Sequence, residues 1–365
     1  MTNRRQLSRR LFLGGGIGLA GLVSNVLALS AGSQDIHASP SKSNMPNMPG
    51  MASKASDTVP TMDGMMYMNG DVDSHANGFD PTAMLTDFDY GKVSKLPNGQ
   101  TLREYTITAI NKTITLAPGV TYKAWTYNGR VPGPTLRCHA GDHIRITFIN
   151  NGDFAHSIHF HGIHPSSDDG GFEAIKPGSK TVYEFNAQPF GLHLYHCHMS
   201  PLPMHLFMGL YGMFIIDPIP ARPKADIELA MMMNAFPFNP QATGPDKTPP
   251  PGLDLTDNQL YAVNTIAFHY YKHPIPLKVG QFVRIYCVNI TDFDLINSFH
   301  VHGNLFNFYQ TGTSLQPDGL TDVITMSQGE RYIFEFRFQF PGQYMFHAHQ
   351  ADFSNKGWMG MFNVS

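Results

Sequence analysis

Residues 176–198, KPGSKTVYEFNAQPFGLHLYHCH, contain the pattern that decides the fold, because it returns once further along the chain. Residues 327–349, SQGERYIFEFRFQFPGQYMFHAH, align with them without a gap, and Glu184 then matches Glu335. An ungapped match of this length indicates two copies of one structural unit.

A second repeated segment lies upstream in each copy. Residues 140–162, AGDHIRITFINNGDFAHSIHFHG, resemble residues 279–303, VGQFVRIYCVNITDFDLINSFHVHG, with two extra residues in the second copy. Alternating runs such as residues 143–148 predict half-buried strands, and many Gly and Pro residues separate such runs. The sequence therefore predicts an all-β fold of two tandem, related sandwich domains, at residues 86–218 and 225–365.

Four His-x-His pairs occupy matching positions of the two copies. In a strand, residues i and i+2 point to the same side, so each pair projects two imidazoles together. The pairs are His159/His161 and His196/His198 in the first copy, and His300/His302 and His347/His349 in the second. Imidazole suits copper, zinc, iron and nickel, so the pairs predict bound transition-metal ions.

Cys197 stands between His196 and His198. Strand alternation places its thiolate on the side opposite to both imidazoles, so it can bind one metal ion while they bind others. A thiolate combined with imidazoles is the ligand set of a blue-copper electron-transfer site. The run His-Cys-His thus predicts copper, with a short covalent path between two kinds of site.

The two copies differ at this thiolate site. Ala348 and Asn297 in the second copy replace Cys197 and His156 of the first, so the site is predicted in the first domain only. On the loop after the thiolate, and beyond His198, His205 is the only histidine before the next apolar strand. Cys197, His156 and His205 therefore form the trigonal set that a blue site requires.

With these motifs the chain resembles the multicopper oxidases, and more narrowly the two-domain members related to copper nitrite reductases. The resemblance covers about Thr86 to Ser365 and rests on HxHG twice, HCH once and HAH once. It implies Greek-key, cupredoxin-like domains and a type 1 copper that oxidises a small-molecule electron donor, either phenolic or Cu(I). It also implies a trinuclear cluster that reduces dioxygen to water, hence about four copper ions per chain: one type 1, one type 2 and two type 3.

The resemblance assigns the ligands by motif position. The type 1 ligands are His156, Cys197 and His205, with Leu210 at the axial position where many relatives have a weak Met ligand. The type 2 ligands are His159 and His300, and the type 3 ligands are His161, His196, His198, His302, His347 and His349. Loss of the axial thioether should raise the copper potential, although Met199, Met204, Met208 and Met213 leave another register open.

Relatives place an acid in an Asp-Gly step shortly after the first HxHG, and Asp168-Asp169-Gly170 follows at a comparable distance. Asp169 is the better match and Asp168 is its neighbour. Either carboxylate could act catalytically, by relaying protons or by orienting a ligand. An ordinary Asp-Gly turn is the alternative interpretation.

Two other functions remain open. Copper nitrite reductases share the two-domain layout, but their catalytic copper needs only three histidines. They also carry Asp where this chain has His159, and no histidine where it has His198. A non-enzymatic copper-binding or electron-transfer protein is the third class, although four complete pairs exceed what storage or simple electron transfer requires.

The resemblance also implies the assembly. Two-domain relatives complete the trinuclear cluster across subunits, with the first domain of one chain facing the second domain of its neighbour. Such a head-to-tail contact must close into a ring. We therefore expect a homotrimer with copper clusters between its subunits.

The N-terminus predicts export. Ser8-Arg9-Arg10-Leu11-Phe12 heads an apolar, Gly-rich stretch, which is typical of a twin-arginine signal peptide at residues 1–31. We expect a periplasmic or otherwise exported protein without stable membrane association after cleavage; an uncleaved anchor is the alternative. A net charge of −3 gives no argument for nucleic acid or a membrane surface.

Three further features need an explanation. Residues 32–85 predict a Met-rich disordered segment, and we hypothesise that its thioethers collect Cu(I). The Pro-rich stretch FPFNPQATGPDKTPPP, residues 236–251, predicts a surface loop of the second domain. Cys138 and Cys287 are expected to be free, buried thiols.

Overall fold

The computed structural model describes residues 65–365. The predicted signal peptide at residues 1–31 and the methionines of residues 45–62 lie outside this range. Among the described residues, no helix combines the length and the apolar character needed to cross a bilayer.

Residues 65–85 are folded, so the prediction of disorder for residues 32–85 is wrong for this part. The segment contains two 3-10 turns and helix α1: Met65–Met68, Ser74–Asn77 and α1 Pro81–Met84. Asn77 donates its side-chain amide to the Thr115 carbonyl at 2.9 Å, and the Leu85 carbonyl accepts from the Ala230 amide at 2.8 Å. These bonds to both domains, with the buried side chain of Leu85, hold the segment in place.

The first domain consists of ten strands and one short helix. In chain order these are β1 Phe88–Asp89, β2 Lys92–Lys95, β3 Thr101–Ala117, β4 Val120–Tyr127, β5 Thr135–His139, β6 His143–Asn150, β7 His159–Phe160, β8 Lys180–Asn186, β9 Gly191–His196, α2 Leu202–Phe207 and β10 Tyr211–Asp217. They form two sheets, ordered β1-β5-β10-β9-β7 and β2-β3-β6-β8, with β4 paired to β3. Alternate residues of β6 are buried, as its sequence pattern predicts for a sandwich strand.

The second domain begins after a linker and repeats this plan. Its elements are β11 Ile227–Phe236, β12 Leu260–Val263, α3 His269–Lys272, β13 Ile275–Leu277, β14 Val283–Asn289, β15 Asn297–Val301, β16 Phe306–Gln310, β17 Gly319–Thr321, β18 Val323–Met326, β19 Arg331–Phe336, β20 Gly342–His347, α4 Ala351–Asn355 and β21 Met359–Val364. The sheets are ordered β12-β11-β14-β19-β16-β17 and β13-β21-β20-β15-β18.

Strand register is the same in both copies. Ile144 pairs with Phe185 across β6 and β8, and the aligned residues Val283 and Phe336 pair across β14 and β19. The predicted all-β architecture of two related sandwich domains is confirmed. Cys138 and Cys287 are buried and free, as predicted.

A buried ionic network joins the two domains. Arg137 of β5 binds Asp217 of β10 at 2.8 Å and Glu228 of β11 at 2.8 Å. Glu228 also accepts from Arg284 at 3.0 Å, and Arg284 binds Glu335 at 2.6 Å. Because a buried charge without a partner is costly, this network fixes the orientation of the domains.

Removing one member of the network tests its contribution. We expect Arg137→Met to lower the free energy of unfolding by about 3–5 kcal/mol, because Asp217 and Glu228 lose their buried partner. Denaturant unfolding of the copper-loaded protein measures this loss. The control is Lys123→Met, whose ion pair with Asp246 is 68% exposed on the lysine side and should contribute less than about 1 kcal/mol. Equal effects of the two substitutions would contradict the prediction.

Candidate metal centres

The thiolate site is assembled from three separate elements of the first domain. Cys197 follows directly after β9, His205 lies in α2, and His156 lies in the loop before β7. His205 Nδ1 is 3.2 Å from Cys197 Sγ and 3.3 Å from His156 Nδ1, while His156 Nδ1 is 4.0 Å from the sulfur. The three predicted type 1 ligands therefore converge on one point.

This arrangement fits a bound metal ion. Separations of 3.2–4.0 Å between the three donor atoms match ligand bonds of about 2.0–2.3 Å to a common centre. Burial lowers the pKa of His156 to about 3 and that of His205 to about 4, so both imidazoles are neutral at neutral pH and offer lone pairs. Burial raises the pKa of the Cys197 thiol, so a metal ion must displace its proton on binding.

Hydrogen bonds and packing hold these ligands. The Ser157 amide donates to Cys197 Sγ at 3.4 Å. The Trp125 ring lies against both imidazoles, with centroid distances of 5.0 Å to His156 and 4.9 Å to His205. Leu210 is fully buried, and its carbonyl accepts from the Cys197 amide at 2.9 Å. Its axial role stays a prediction.

A second group of imidazoles lies on the other side of the same strand. The ligand nitrogens of His159, His161 and His196 all lie within 4.8 Å of one another. Nε2 of His161 is 3.2 Å from Nε2 of His196, and the ring of His198 stands 5.4 Å from that of His159. Strand alternation therefore separates Cys197 from its flanking histidines, as the sequence predicts.

The second domain repeats this group without a thiolate site. His300, His302 and His347 have their ligand nitrogens within 4.8 Å of one another, and Nε2 of His302 is 2.9 Å from Nε2 of His347. The His349 ring stands 5.3 Å from that of His300. We call these two clusters the first and second half-sites, because each is formed by one domain.

Backbone carbonyls orient the imidazoles in both half-sites. His159 Nδ1 contacts the Asp169 carbonyl at 2.9 Å, and His300 Nδ1 contacts the Asp322 carbonyl at 2.8 Å. His196 and His347 each bond the carbonyl of the following residue in the same way. Since a carbonyl only accepts, Nδ1 carries the proton and the Nε2 lone pair is left for a metal ion.

The two predicted acids behave differently. Asp169 lies beside the first half-site, with Oδ1 3.3 Å from His159 Nδ1. The structure does not bring Asp168 there: its Oδ1 accepts from the Glu184 amide of β8 at 2.8 Å. The 3-10 turn Ser166–Asp168 directs the two neighbouring carboxylates to different partners, and of the two only Asp169 contacts a histidine of the half-site.

Two residues near the half-sites were missed from the sequence. Asp322 is the second-domain counterpart of Asp169, with Oδ2 3.8 Å from His300 Nδ1, but it follows its HxHG motif at a much longer spacing. Arg331 of β19 lines a cleft of about 510 Å³ together with His159 and His161. In the repeat alignment Arg331 matches Lys180 of the first copy. This match does not indicate that the Arg331 side chain contacts the first domain.

Comparisons with known proteins agree with this geometry. Two multicopper oxidase family models match residues 108–221 and 241–365. A crystal structure of a multicopper oxidase is 47% identical, covers 81% of this chain and 100% of its own, and superimposes with a TM-score of 0.75.

Nitrite reductases are also similar. The enzyme of Neisseria meningitidis serogroup B is 29% identical over 70% of this chain and 67% of its own length. The structure of the Nitrosomonas europaea copper nitrite reductase is 26% identical, covers 72% of this chain and 94% of its own, and has a TM-score of 0.64.

Fold and donor sets together define a copper oxidoreductase with two cupredoxin-like domains. The chain belongs to the multicopper oxidase family.

Substitution of the thiolate tests the first centre. We expect Cys197→Ser to lose the blue absorption and about one copper ion per chain, because the Cu–thiolate bond produces the colour. Visible spectroscopy and metal analysis measure both. Cys138→Ser, which alters another buried free cysteine, should keep colour and copper. An intensely blue Cys197→Ser protein would show that the thiolate site lies elsewhere.

Proposed function

We propose that this protein couples one-electron oxidation of a reducing substrate, phenolic or Cu(I), to the four-electron reduction of dioxygen to water. One observation carries the proposal: each domain presents a matched half-site with two complete His-x-His pairs. Eight oriented imidazoles, in addition to the Cys197 site, suit a cluster of several copper ions better than one ion.

The ligands divide among three kinds of copper in this proposal. Cys197, His156 and His205 hold the type 1 ion, and His159 and His300 hold the type 2 ion. The type 3 pair is held by His161, His196, His198, His302, His347 and His349. Copper in these sites supplies one-electron redox chemistry, and the peptide bonds from Cys197 to its two flanking histidines provide the path between sites.

Asp169 is the residue of this chain best placed to handle protons. Its carboxylate lies 3.3 Å from His159 Nδ1 and also accepts from the Gly171 amide at 3.1 Å. It lines the solvent-open cleft beside His159 and His161. Dioxygen reduction consumes protons, and a carboxylate at this position can pass them from solvent toward the half-site.

Nitrite reduction is the second candidate, and its support is the similarity to copper nitrite reductases. The number of histidines argues against nitrite reduction, since a copper site with three histidine ligands leaves most of the eight half-site histidines without a role. A non-enzymatic copper carrier leaves even more of them unexplained. We infer that the exported enzyme works as an oxidase.

The surroundings of the half-sites support a homotrimer. Each half-site belongs to a different domain. Phe172 is 92% exposed and follows Gly171, whose carbonyl contacts His198 Nδ1 at 3.3 Å. Phe340 is 68% exposed in a groove that also contains Asp322, the residue whose carbonyl contacts His300 of the second half-site. Exposed apolar surface of this kind marks protein contacts, and a head-to-tail contact between copies would join a complete cluster.

Copper content and acceptor choice test the function. The loaded protein should contain about four copper ions per chain, with about two visible by EPR because the type 3 pair is coupled. His198→Asn should keep the blue absorption and lose dioxygen consumption by at least about 100-fold, since one cluster ligand is gone. His75→Asn, on an exposed turn, is the control. About two copper ions per chain, both EPR-visible, with nitrite as the reduced acceptor would establish the alternative.

The molecular mass of the protein in solution tests the proposed oligomeric state. We expect a trimer, and Phe172→Glu should shift it toward monomers with lower copper content and oxidase activity, because a charge replaces an apolar contact. Val93→Glu, at a 55% exposed position of edge strand β2, should leave the trimer intact. Light scattering combined with gel filtration gives the mass. A fully active wild-type monomer would rule out a cluster shared between copies.

A further inference from the structure

The loop between β14 and β15 brings carboxylates together in the second domain. Asp292 and Asp294 lie in this loop, and Asp294 Oδ2 accepts from the Tyr261 hydroxyl at 2.8 Å. Burial raises the pKa of Asp294, and the nearby charge of Asp352 in α4 adds to this effect. Lys356 is close by, but it pairs with Asp352 at 2.9 Å. The negative charge of the loop is therefore only partly balanced.

Asn258 connects this loop to the segment that leads into β12. Its Nδ2 donates to Asp294 Oδ2 at 2.8 Å and to the backbone carbonyl of Asp292. Asn258 is 2% exposed, so its amide is directed into the loop rather than toward solvent. Within the part of the chain that the structure describes, its Oδ1 is buried and contacts no hydrogen-bond donor. The Asn258 side chain thus offers a free acceptor oxygen at the acidic loop.

Asp292 supplies a second buried oxygen of this kind. Its Oδ1 accepts from the Phe293 amide at 2.9 Å, which orients the carboxylate. Its Oδ2 is buried and contacts no donor among residues 65–365. A buried polar oxygen without a partner is costly, and a charged one more so. A bound cation would remove this cost at both oxygens.

The acidic loop is specific to the second copy of the repeat. Asp292 and Phe293 match Asp153 and Phe154 of the first copy, whereas Asp294 belongs to the stretch in which the second copy has two extra residues. Asp153 is exposed, and its carboxylate accepts from the Asn111 side-chain amide. The first copy therefore has one acid at this place, with an ordinary partner, and provides a matched control.

We propose that Asp292, Asp294 and Asn258 bind one calcium ion, which holds the β14–β15 loop against the segment leading into β12. The donors are carboxylate and amide oxygens, so the site suits a hard cation rather than copper or zinc. Calcium accepts irregular oxygen sites, whereas magnesium demands near-ideal octahedral geometry and keeps several waters. The two carboxylates match the charge of a divalent ion.

The proposed site adjoins the strand ends that carry the second half-site. The loop leads directly into β15, which contains His300, and α4 begins two residues after His349. Ser298 of β15 joins the two elements, because its Oγ donates to the Gln350 side chain and accepts from the His349 amide at 2.8 Å. Calcium would therefore stabilise the surroundings of the second half-site without using its imidazoles.

Calcium binding to the copper-loaded protein tests the proposal. Equilibrium dialysis with calcium-45 should show saturable binding of about one ion per chain. Asp292→Asn should weaken this binding at least about tenfold, because it removes a ligand charge while its amide oxygen can still accept from the Phe293 amide. Asp153→Asn should leave the affinity unchanged. No saturable binding by the wild-type protein, or equal affinity in Asp292→Asn, overturns the proposal.

Thermal unfolding gives a second measurement. Calcium at about 10 mM should raise the Tm of the copper-loaded protein by at least about 3 °C, because a ligand that binds only the folded state stabilises it. This rise should be largely lost in Asp292→Asn and kept in Asp153→Asn. The same concentration of magnesium should raise the Tm less. An equal rise with magnesium overturns the assignment to calcium.

A second variant covers the case in which Asp292→Asn does not fold. Asp294→Asn also removes a ligand charge, and its amide oxygen can still accept from the Tyr261 hydroxyl. Wild-type affinity for calcium in a folded Asp294→Asn protein overturns the site. Neither measurement requires turnover, so a protein that binds calcium but reduces no dioxygen would disprove the proposed oxidase function and support the calcium site.

Discussion

The opposed pairs His159–His196 and His300–His347, each on neighbouring antiparallel strands, are the constraint on which both half-sites depend. Their rings stand 5.3 and 5.2 Å apart, as expected for directly facing residues. A slip of one residue would turn every imidazole to the opposite face and place Cys197 where His196 belongs. The register set by the sandwich therefore determines which donors share a metal site.

Duplication explains why the register recurs, and divergence explains why only one copy has a thiolate site. Ala348 replaces the cysteine, and Asn297 replaces His156. Asn297 is fully buried and contacts Asn289 Oδ1 at 3.5 Å. The second domain thus fills the equivalent position with apolar and amide groups that need no metal ion. Its half-site remains intact because its ligands lie on the other side of β20 and β15.

Much of this could be predicted from sequence because strand alternation is a local rule. The His-x-His spacing alone determines which imidazoles share a face, and the Cys197 position determines the opposite face. The match to relatives favours Asp169 over Asp168, but the partners of the two carboxylates could not be predicted, because a 3-10 turn rotates neighbouring side chains by amounts that no simple period describes. Asp322 was missed for a related reason: the loop leading to it differs in length from its counterpart.

Contacts between distant segments were beyond sequence reasoning. Composition classifies the Pro-rich stretch as a loop but cannot show that it pairs with Thr121 of the first domain. Trp125 likewise has no motif around it, and its importance comes from touching His156 and His205 at once.

Burial of the His156 and His205 imidazoles has two effects on the thiolate site. It keeps them neutral and able to bind copper, but it also keeps a donor from reaching them directly. The Trp125 ring packs on both imidazoles and also lines a cavity beside the thiolate site. Residues of the second domain line that cavity and also form the second half-site, so the surroundings of the thiolate site and the proposed cluster both depend on the two domains together.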